Sequence, residues 1–314
     1  MIDALRAAGF HVEPRAGVVL ARLPAGRPAF QSGARSAVAV SWSEAEAEAT
    51  GATWPALAEV GAVAGRDLLL VIGEGTVDAD ALATVAVVVD AGGERTGDVR
   101  AIGVDRRAGG RLRLRSEAGA PLVRAVAALI APATSFRPDP ATQRMLDDLL
   151  ADAGLGAAVT RRGLFHATTH EAACRRLPLP IGWDAWLGRD AVTLDVMTVD
   201  ASGGEASLWV SLAIESSLEA WLQTTQAALP EGVTLHCERS WPRRETAVHG
   251  AWVGSLQAAL AAVEPGGPVV VAPRRDPPRG LADDAVAAPR YGLFGALASS
   301  TSLVPLLRTL LVEG

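Results

Sequence analysis

Residues Val87 to Gly110 read VVVDAGGERTGDVRAIGVDRRAGG. A β-branched run ends at Asp90, a small-residue turn Ala91-Gly92-Gly93 follows, and the chain then enters a hairpin that closes at Gly109-Gly110. Working backward, Val85–Val89 is a buried strand, preceded by a short helix around Asp78–Ala83. Asp67–Ile72, within RDLLLVIGEG, is wholly apolar and stops at Gly73 and Gly75, the signature of a buried parallel strand. Further upstream, Ile2–Ala8 reads as a helix closed by Gly9, with a strand emerging over Phe10–Glu13. Val18–Leu23 and Ala37–Trp42 are two more strands, and Ser43 is placed to N-cap an acidic helix through Glu44, Glu46 and Glu48. Short apolar strands alternating with helices predict an α/β sheet.

Downstream the pattern changes. Arg111-Leu112-Arg113-Leu114-Arg115 alternates strictly, as a half-exposed strand does. Helices are expected over Pro121–Ile130 and Pro138–Leu150, the second ended by Gly154-Leu155-Gly156. Val192–Val199 and Ser207–Ile214 alternate as antiparallel strands. A helix from Ser217 to about Leu229 follows, then the turn Pro230-Glu231-Gly232 and a strand over Val233–Glu238. This is a small α+β layer inserted into the sheet domain. After Trp241-Pro242 the earlier rhythm returns, with a helix at Val253–Val263, strands at Pro268–Ala272 and Tyr291–Phe294, and a terminal helix at Leu303–Leu311. The division expected is residues 1–110 plus 241–314 for the α/β domain and 111–240 for the insertion.

Composition narrows the function classes. At 314 residues and 49% hydrophobic, the chain can bury a large core and fill two domains. A net charge of −6 argues against a nucleic-acid surface, which needs clustered cations. The arginine pairs Arg106-Arg107, Arg175-Arg176 and Arg243-Arg244 read as solvated charge beside turns. Abundant Ala, Gly and Arg with scarce Lys suggest a high-GC, bacterial gene. Cys174 and Cys237 lie far apart and form neither a CxxC pair nor a metal knuckle. No basic-then-apolar leader opens the chain, and the longest apolar runs, Val85–Val89 and Val123–Ala131, are too short to cross a bilayer. A soluble cytoplasmic protein with reduced thiols and no membrane contact is expected.

The opening stretch resembles the strand–turn–hairpin of the M20 family of two-zinc amidohydrolases and peptidases, relatives of acetylornithine deacetylase and carboxypeptidase. Other segments resemble the family in order and spacing: LRAAGFHVE (Leu5–Glu13), AIGVDRRAGGRLRLRSEAG (Ala101–Gly119), Arg189-Asp190-Ala191-Val192-Thr193, ALPEGVTLHCERSWP (Ala228–Pro242) and PRYGLFG (Pro289–Gly295). The resemblance implies an α/β catalytic-type domain carrying an inserted ferredoxin-like lid, through which subunits of the family commonly pair.

Where the family keeps its metal chemistry, this chain departs from it. The family turn reads Asn-Glu-Gly-Gly with a metal-binding Glu; here it is Asp90-Ala91-Gly92-Gly93. The His-x-Asp after an early strand has no counterpart, because Gln31–Ser43 contains neither His nor Asp. No Asp lies between Val40 and Arg66 to bridge two metals. The family's Glu-Glu pair is reduced to Gly73-Glu74-Gly75, leaving Glu74 as the one candidate catalytic relic. The lid's Gly-His-Gly-Ser turn becomes Ser116-Glu117-Ala118-Gly119, and no His follows Tyr291. A co-catalytic zinc pair needs closely placed anionic and imidazole ligands. The resemblance therefore implies a degenerate member with no metal cofactor.

Several other residues are candidates for chemistry. His166, His170 and Cys174 recur at helical spacing, so a metal reading is open there; it needs a fourth ligand, and the plainer reading is a polar helix face with a buried Cys. His236 and Cys237 are strand neighbours and point to opposite faces. His249 is expected at a turn. Ser299–Ser302 lacks a nucleophile elbow, and Ser302 suits the N-cap of the last helix. Asp283 and Asp284 sit where a family turn would be, at the wrong spacing from Pro289. Among the tryptophans, Trp183 and Trp186 flank a turn. Trp209, with Leu218, Trp221 and Leu222 of the lid helix, is the candidate interface, beside Ser207–Ile214 as the pairing strand. Two functions remain. One is a non-catalytic subunit, homo- or heterodimeric through its lid, partnered by an active paralogue or another pathway enzyme. The other is a metal-independent enzyme using the remodelled cleft for amide formation or cyclisation.

Overall fold

The computed structural model describes residues 1–26, 37–42, 47, 54–73, 77–91, 100–131, 138–150, 155–164, 169–177, 179, 183, 187–200, 202–213, 217–263, 269–274, 288–294 and 300–313. The chain forms two compact units. One comprises Met1–Val104, Thr246–Ala272 and Pro278–Gly314, the other Asp105–Glu245 and Pro273–Pro277.

The first unit is built on a mixed eight-stranded sheet. Helix α1 (Ile2–Ala7) leads through Gly9, at φ 95°, into strand β1 (His11–Arg15). Pro14 is tolerated because β1 is an edge strand. A turn at Gly17 returns the chain as β2 (Val18–Leu23). Strand β3 (Ala37–Trp42) precedes helix α2 (Trp54–Val63), and β4 (Leu68–Gly73) precedes a single 3-10 turn, Ala79–Leu82, where the sequence predicts a short helix. Then come β5 (Val85–Asp90) and β6 (Arg100–Arg106). Helix α8 (Ala251–Val263), β11 (Val269–Arg274), β12 (Arg290–Phe294) and helix α9 (Ser300–Arg308) complete it, after the elements β7 to β10 and α3 to α7 given below.

The strand order is β1-β2-β4-β3-β5-β12-β6-β11. β3 runs parallel to both β4 and β5, and β12 is parallel to β5. β4 is thus parallel on one side only, since β2 pairs with its other edge antiparallel. Every residue of β3 and β4 is buried, which accounts for their unbroken apolar sequence. One face packs Val18, Leu20, Ala39, Leu69, Val71, Val85 and Val88 into a single cluster. Helix α9 packs on α2 and α8. It starts at Ser300, so Ser302 lies within the helix and is not its N-cap. Of the expected helix after Ser43 only Ala47 is among the described residues, and it is helical and buried.

The second unit carries a four-stranded antiparallel sheet: β7 (Gly109–Ser116), β8 (Ala191–Asp200), β9 (Gly203–Ser211) and β10 (Val233–Trp241). Helices α3 (Gly119–Ile130) and α7 (Leu218–Ala228) cover one face. Leu112 and Leu114 point into this core with Leu122, Val126, Ala206, Leu208 and Val210, while Arg111, Arg113 and Arg115 take the other face. Those arginines are flanked by Glu205, Asp195 and Glu238, an exposed ladder of screened ion pairs. Between α3 and β8 the chain inserts helices α4 (Pro140–Leu150), α5 (Leu155–Leu164) and α6 (His170–Cys174). Helix α4 ends at Leu150, as the sequence expects, but Gly156 sits in the first turn of a further helix, α5, that the sequence does not assign, and Arg161 of α5 pairs with Asp147 of α4.

A second expectation is overturned by topology. The sequence assigns Ser207–Ile214 to the sheet edge, but the order is β10-β7-β9-β8, so β9 is interior and β8 and β10 are the edges. A tight turn explains this. Asp200 Oδ1 accepts from both the amide and the hydroxyl of Ser202, and Gly203 adopts φ 138°, folding β8 straight back onto β9. Leu218, Trp221 and Leu222, nominated as an interface, pack against this unit's own core.

Gly73 tests the sheet of the first unit. It closes β4 at φ 110°, and a Cβ there would lie 2.4 Å from the Gly17 carbonyl oxygen. Gly73→Ala should therefore lower stability by roughly 1–3 kcal/mol, read as a shifted urea midpoint at unchanged slope. An unshifted midpoint would show that the β1–β2 turn yields freely.

Candidate functional site

In an open sheet with a parallel core, chemistry collects where the parallel strands end. In the first unit those ends are Ser41-Trp42 on β3, Gly73 on β4, and Asp90-Ala91 after β5, with β12 alongside. Ser41 lies opposite Asp90 on one side, and Gly292 lies opposite Asp90 on the other. All of this edge is buried.

Asp90 is 4% exposed and Arg290 1%. The Arg290 Nε donates to both carboxylate oxygens, 3.0 Å to Oδ1 and 2.8 Å to Oδ2, and Nη2 donates to Oδ1 at 2.8 Å. Strand alternation puts Arg290 and Gly292 on the same face of β12, and glycine leaves the guanidinium a path along that face to Asp90. The Arg290 carbonyl accepts from the Thr246 hydroxyl, and the Pro289 carbonyl from the Val88 amide, fixing β12 against β5. A buried carboxylate must be met by a partner charge, and here it is met from 200 residues away.

Ala91 is 2% exposed, and its amide donates to the Ser41 carbonyl at 3.0 Å. Its methyl therefore sits inside the packing. Trp42 is buried too, edge-on to Trp54 with centroids 5.6 Å apart. Tyr291 is buried behind Arg290, and that burial pushes its phenol above the ordinary tyrosine range.

The second unit has its own buried charge cluster. Arg107 donates through Nε and Nη2 to Asp139 Oδ2, at 3.2 and 2.9 Å, and through Nη1 to the Arg189 carbonyl. Asp139 Oδ1 accepts the Thr142 amide and so caps α4. Burial lowers the Arg107 pKa, and Asp139 opposes that shift. The Trp241 indole donates to the Arg107 carbonyl. The cluster joins the root of β7, α4 and the end of β10. Its geometry is that of a structural joint.

The other residues singled out by the sequence scatter. Glu74, His166, Trp186, Asp283, Asp284 and Ser299 lie outside the described residues, as does the side chain of His170. Cys174 is buried at the end of α6. Cys237 packs toward the core of the second unit while His236 is exposed, so no dyad forms. His249 is exposed ahead of α8, and Trp183 is buried. Trp209 lies on the open face, where Trp241 packs at 5.8 Å and the Arg111 guanidinium covers it at 5.4 Å. Among the described residues, no group of three or more His, Cys, Asp or Glu could hold a metal ion.

No family model and no curated protein matches the sequence. Solved structures do match in fold. Human carnosine dipeptidase 1 superposes with a TM-score of 0.65 at 10% identity, over 99% of this chain and 89% of that one. The Saccharomyces cerevisiae di-peptidase Dug1p gives 0.56 at 9%, over 99% and 89%. The M20 family metallo-carboxypeptidase Sso-CP2 from Sulfolobus solfataricus gives 0.51 at 12%, over 98% and 94%. The fold is M20-like. The residues that sequence reasoning missed are Arg290 as a partner for Asp90 in the first unit and the Arg107–Asp139 joint in the second. A signal was present: one Asp ends VVVD and one Arg begins RYGLF, each beside apolar strand, and opposite charges bordering buried strands must be paired.

Cys237 offers a check on the second unit. Burial raises its thiol pKa, reducing the thiolate fraction at any pH near neutrality. Alkylation of the native protein at pH 8 should be several-fold slower at Cys237 than in an unstructured peptide, and His236→Ala should leave the rate unchanged. Acceleration by His236 would mean that the two side chains cooperate.

Proposed function

We propose that this chain is a non-catalytic M20-like subunit, a pseudo-hydrolase retaining the two-unit scaffold. The observation that carries the reading is Ala91. At the turn where the resemblance asks for a zinc-binding Glu stands a buried methyl, its amide tied to Ser41. Asp90 beside it is engaged by Arg290, and Trp42 closes the strand where the early ligand pair would follow. These residues do not fit a two-zinc centre, which needs closely placed carboxylates and imidazoles with lone pairs directed at the ions. Elemental analysis of protein purified without added metal should give no stoichiometric zinc, and Ala91→Glu should gain no zinc-dependent hydrolysis of N-acyl amino acids or dipeptides. Two tightly held ions per chain, or deacylation by that variant, would overturn the reading.

A non-catalytic subunit acts through a partner, and in this reading the contact is made by the lid, the second unit. The partner proposed is a lid of like build, belonging to an active M20 paralogue or pathway enzyme, or to a second copy. Support comes from the β8 edge. Of six exposed large hydrophobic residues among those described, five lie on β8 or the helix packed beside it: Val196, Met197 and Val199 on β8, Val123 and Ile130 on α3. An apolar edge strand is a hazard unless covered, and edge-to-edge pairing covers two at once. Trp209, Leu218, Trp221 and Leu222 keep part of their surface open and serve as secondary contacts. Met197→Glu should lower the assembly mass by light scattering, in the purified protein or co-expressed with its paralogue, with circular dichroism unchanged. Trp221→Glu should chiefly cost stability, because that ring packs on the lid core. Assembly lost with Trp221→Glu and kept with Met197→Glu would move the surface to α7.

A further inference from the structure

The carboxyl edge of the first unit carries a charge whose purpose the non-catalytic reading leaves open. β3 and β5 deliver apolar side chains almost to their ends, yet β5 stops on a carboxylate that is nearly sealed from water. A buried carboxylate is costly unless a cation or hydrogen-bond donors are held against it. The resemblance described above implies metal ions at this edge in a zinc-binding member. We propose that Arg290 is the resident cation of this edge, with its guanidinium balancing Asp90 in place of a metal.

Three features support this assignment. The guanidinium reaches both oxygens of Asp90 through three hydrogen bonds of 2.8–3.0 Å, the charge-assisted, forked geometry that suits arginine and not lysine. Position 292, opposite Asp90, is glycine, so the path of the guanidinium is clear of side chains on that strand. Arg290 is itself anchored at its carbonyl by Thr246 and through Pro289 by Val88, so the cation is positioned before any solvent ion could compete. A fixed positive charge on Asp90 also repels a dication and occupies the lone pairs that would ligate it. Among the described residues of this edge, the charge of Asp90 is thus balanced without metal. This inference rests on the non-catalytic reading, and it assigns the charge balance that reading requires.

The test uses the full-length chain and four proteins: wild type, Arg290→Met, Asp90→Leu, and the double variant. Thermal midpoints are measured at pH 7 with EDTA and with zinc chloride. The wild-type midpoint should be the same in both. Each single variant should fall by roughly ten degrees, because one buried charge loses the forked hydrogen bonds of this pair, and the double variant should regain at least half the loss. If a single variant fails to fold, a folded double variant gives the same support, and a double variant that also fails to fold overturns the proposal. Single variants as stable as wild type would overturn the proposal while leaving the non-catalytic reading intact. A wild-type midpoint that falls in EDTA, or rises by several degrees with zinc, would show a metal-holding edge and overturn both.

Discussion

A carboxylate inside a sheet has to be neutralised by something fixed, and the first unit is arranged around one such requirement. Asp90 ends β5 at the centre of the parallel strands, and Arg290 approaches it from β12. Because the pair is nearly dry, its net contribution to stability is modest against an apolar substitute, while loss of one partner is costly. Its greater effect is on specificity. The pair fixes which residue of β12 lies beside which residue of β5, at an edge where neighbouring strands are otherwise interchangeable runs of valine and leucine. A one-residue slip of β12 would move Arg290 to the opposite face and take its guanidinium away from Asp90.

The second unit solves a different problem with weaker forces. Its arginines stand in an exposed ladder between carboxylates, where each pair adds little and the alternation of Leu112 and Leu114 does the folding. A buried ion pair there, Arg107 on Asp139, coincides with the start of the helical insertion. The same carboxylate that receives Arg107 caps α4, so the ion pair and the buried face of Met145, Leu146 and Leu150 secure the insertion together. The layer as a whole leaves the β8 edge apolar and open, so its surface chemistry differs from that of a strand protected by lysine or proline.

How much of this was readable before any coordinates follows from the range of each interaction. Strand β2 falls on the expected residues and β4 within one residue of them, because apolar runs are bounded by local signals, Gly17 before β2 and Gly73 at the end of β4. The helix at Leu218–Ala228 was legible from Ser217, whose hydroxyl accepts the Ala220 amide. The absence of a glutamate at position 91 was visible directly. Strand order was not: nothing local in Ser207–Ser211 says that both its flanks are occupied, and the edge was assigned to the wrong strand. Nor was the partner of Asp90, since a pairing across 200 residues leaves no periodicity in the sequence.

The same topology orders the assembly of the first unit. β12 lies between β5 and β6, although those two strands are near neighbours in sequence and β12 comes almost at the end of the chain. Until residues 288–294 arrive, β5 has one open edge, β6 lacks its β12 neighbour, and Asp90 has no guanidinium. The N-terminal hundred residues therefore hold a nucleus, β1 to β5, whose pairings are all present early, and an unfinished border whose completion waits for the whole intervening unit. Long loop closure makes such a step slow and leaves an apolar edge exposed meanwhile. A buried ion pair at that border gives the late strand one register in which it can dock. The charge that the edge carries thus has a role in folding that an all-apolar border would not supply.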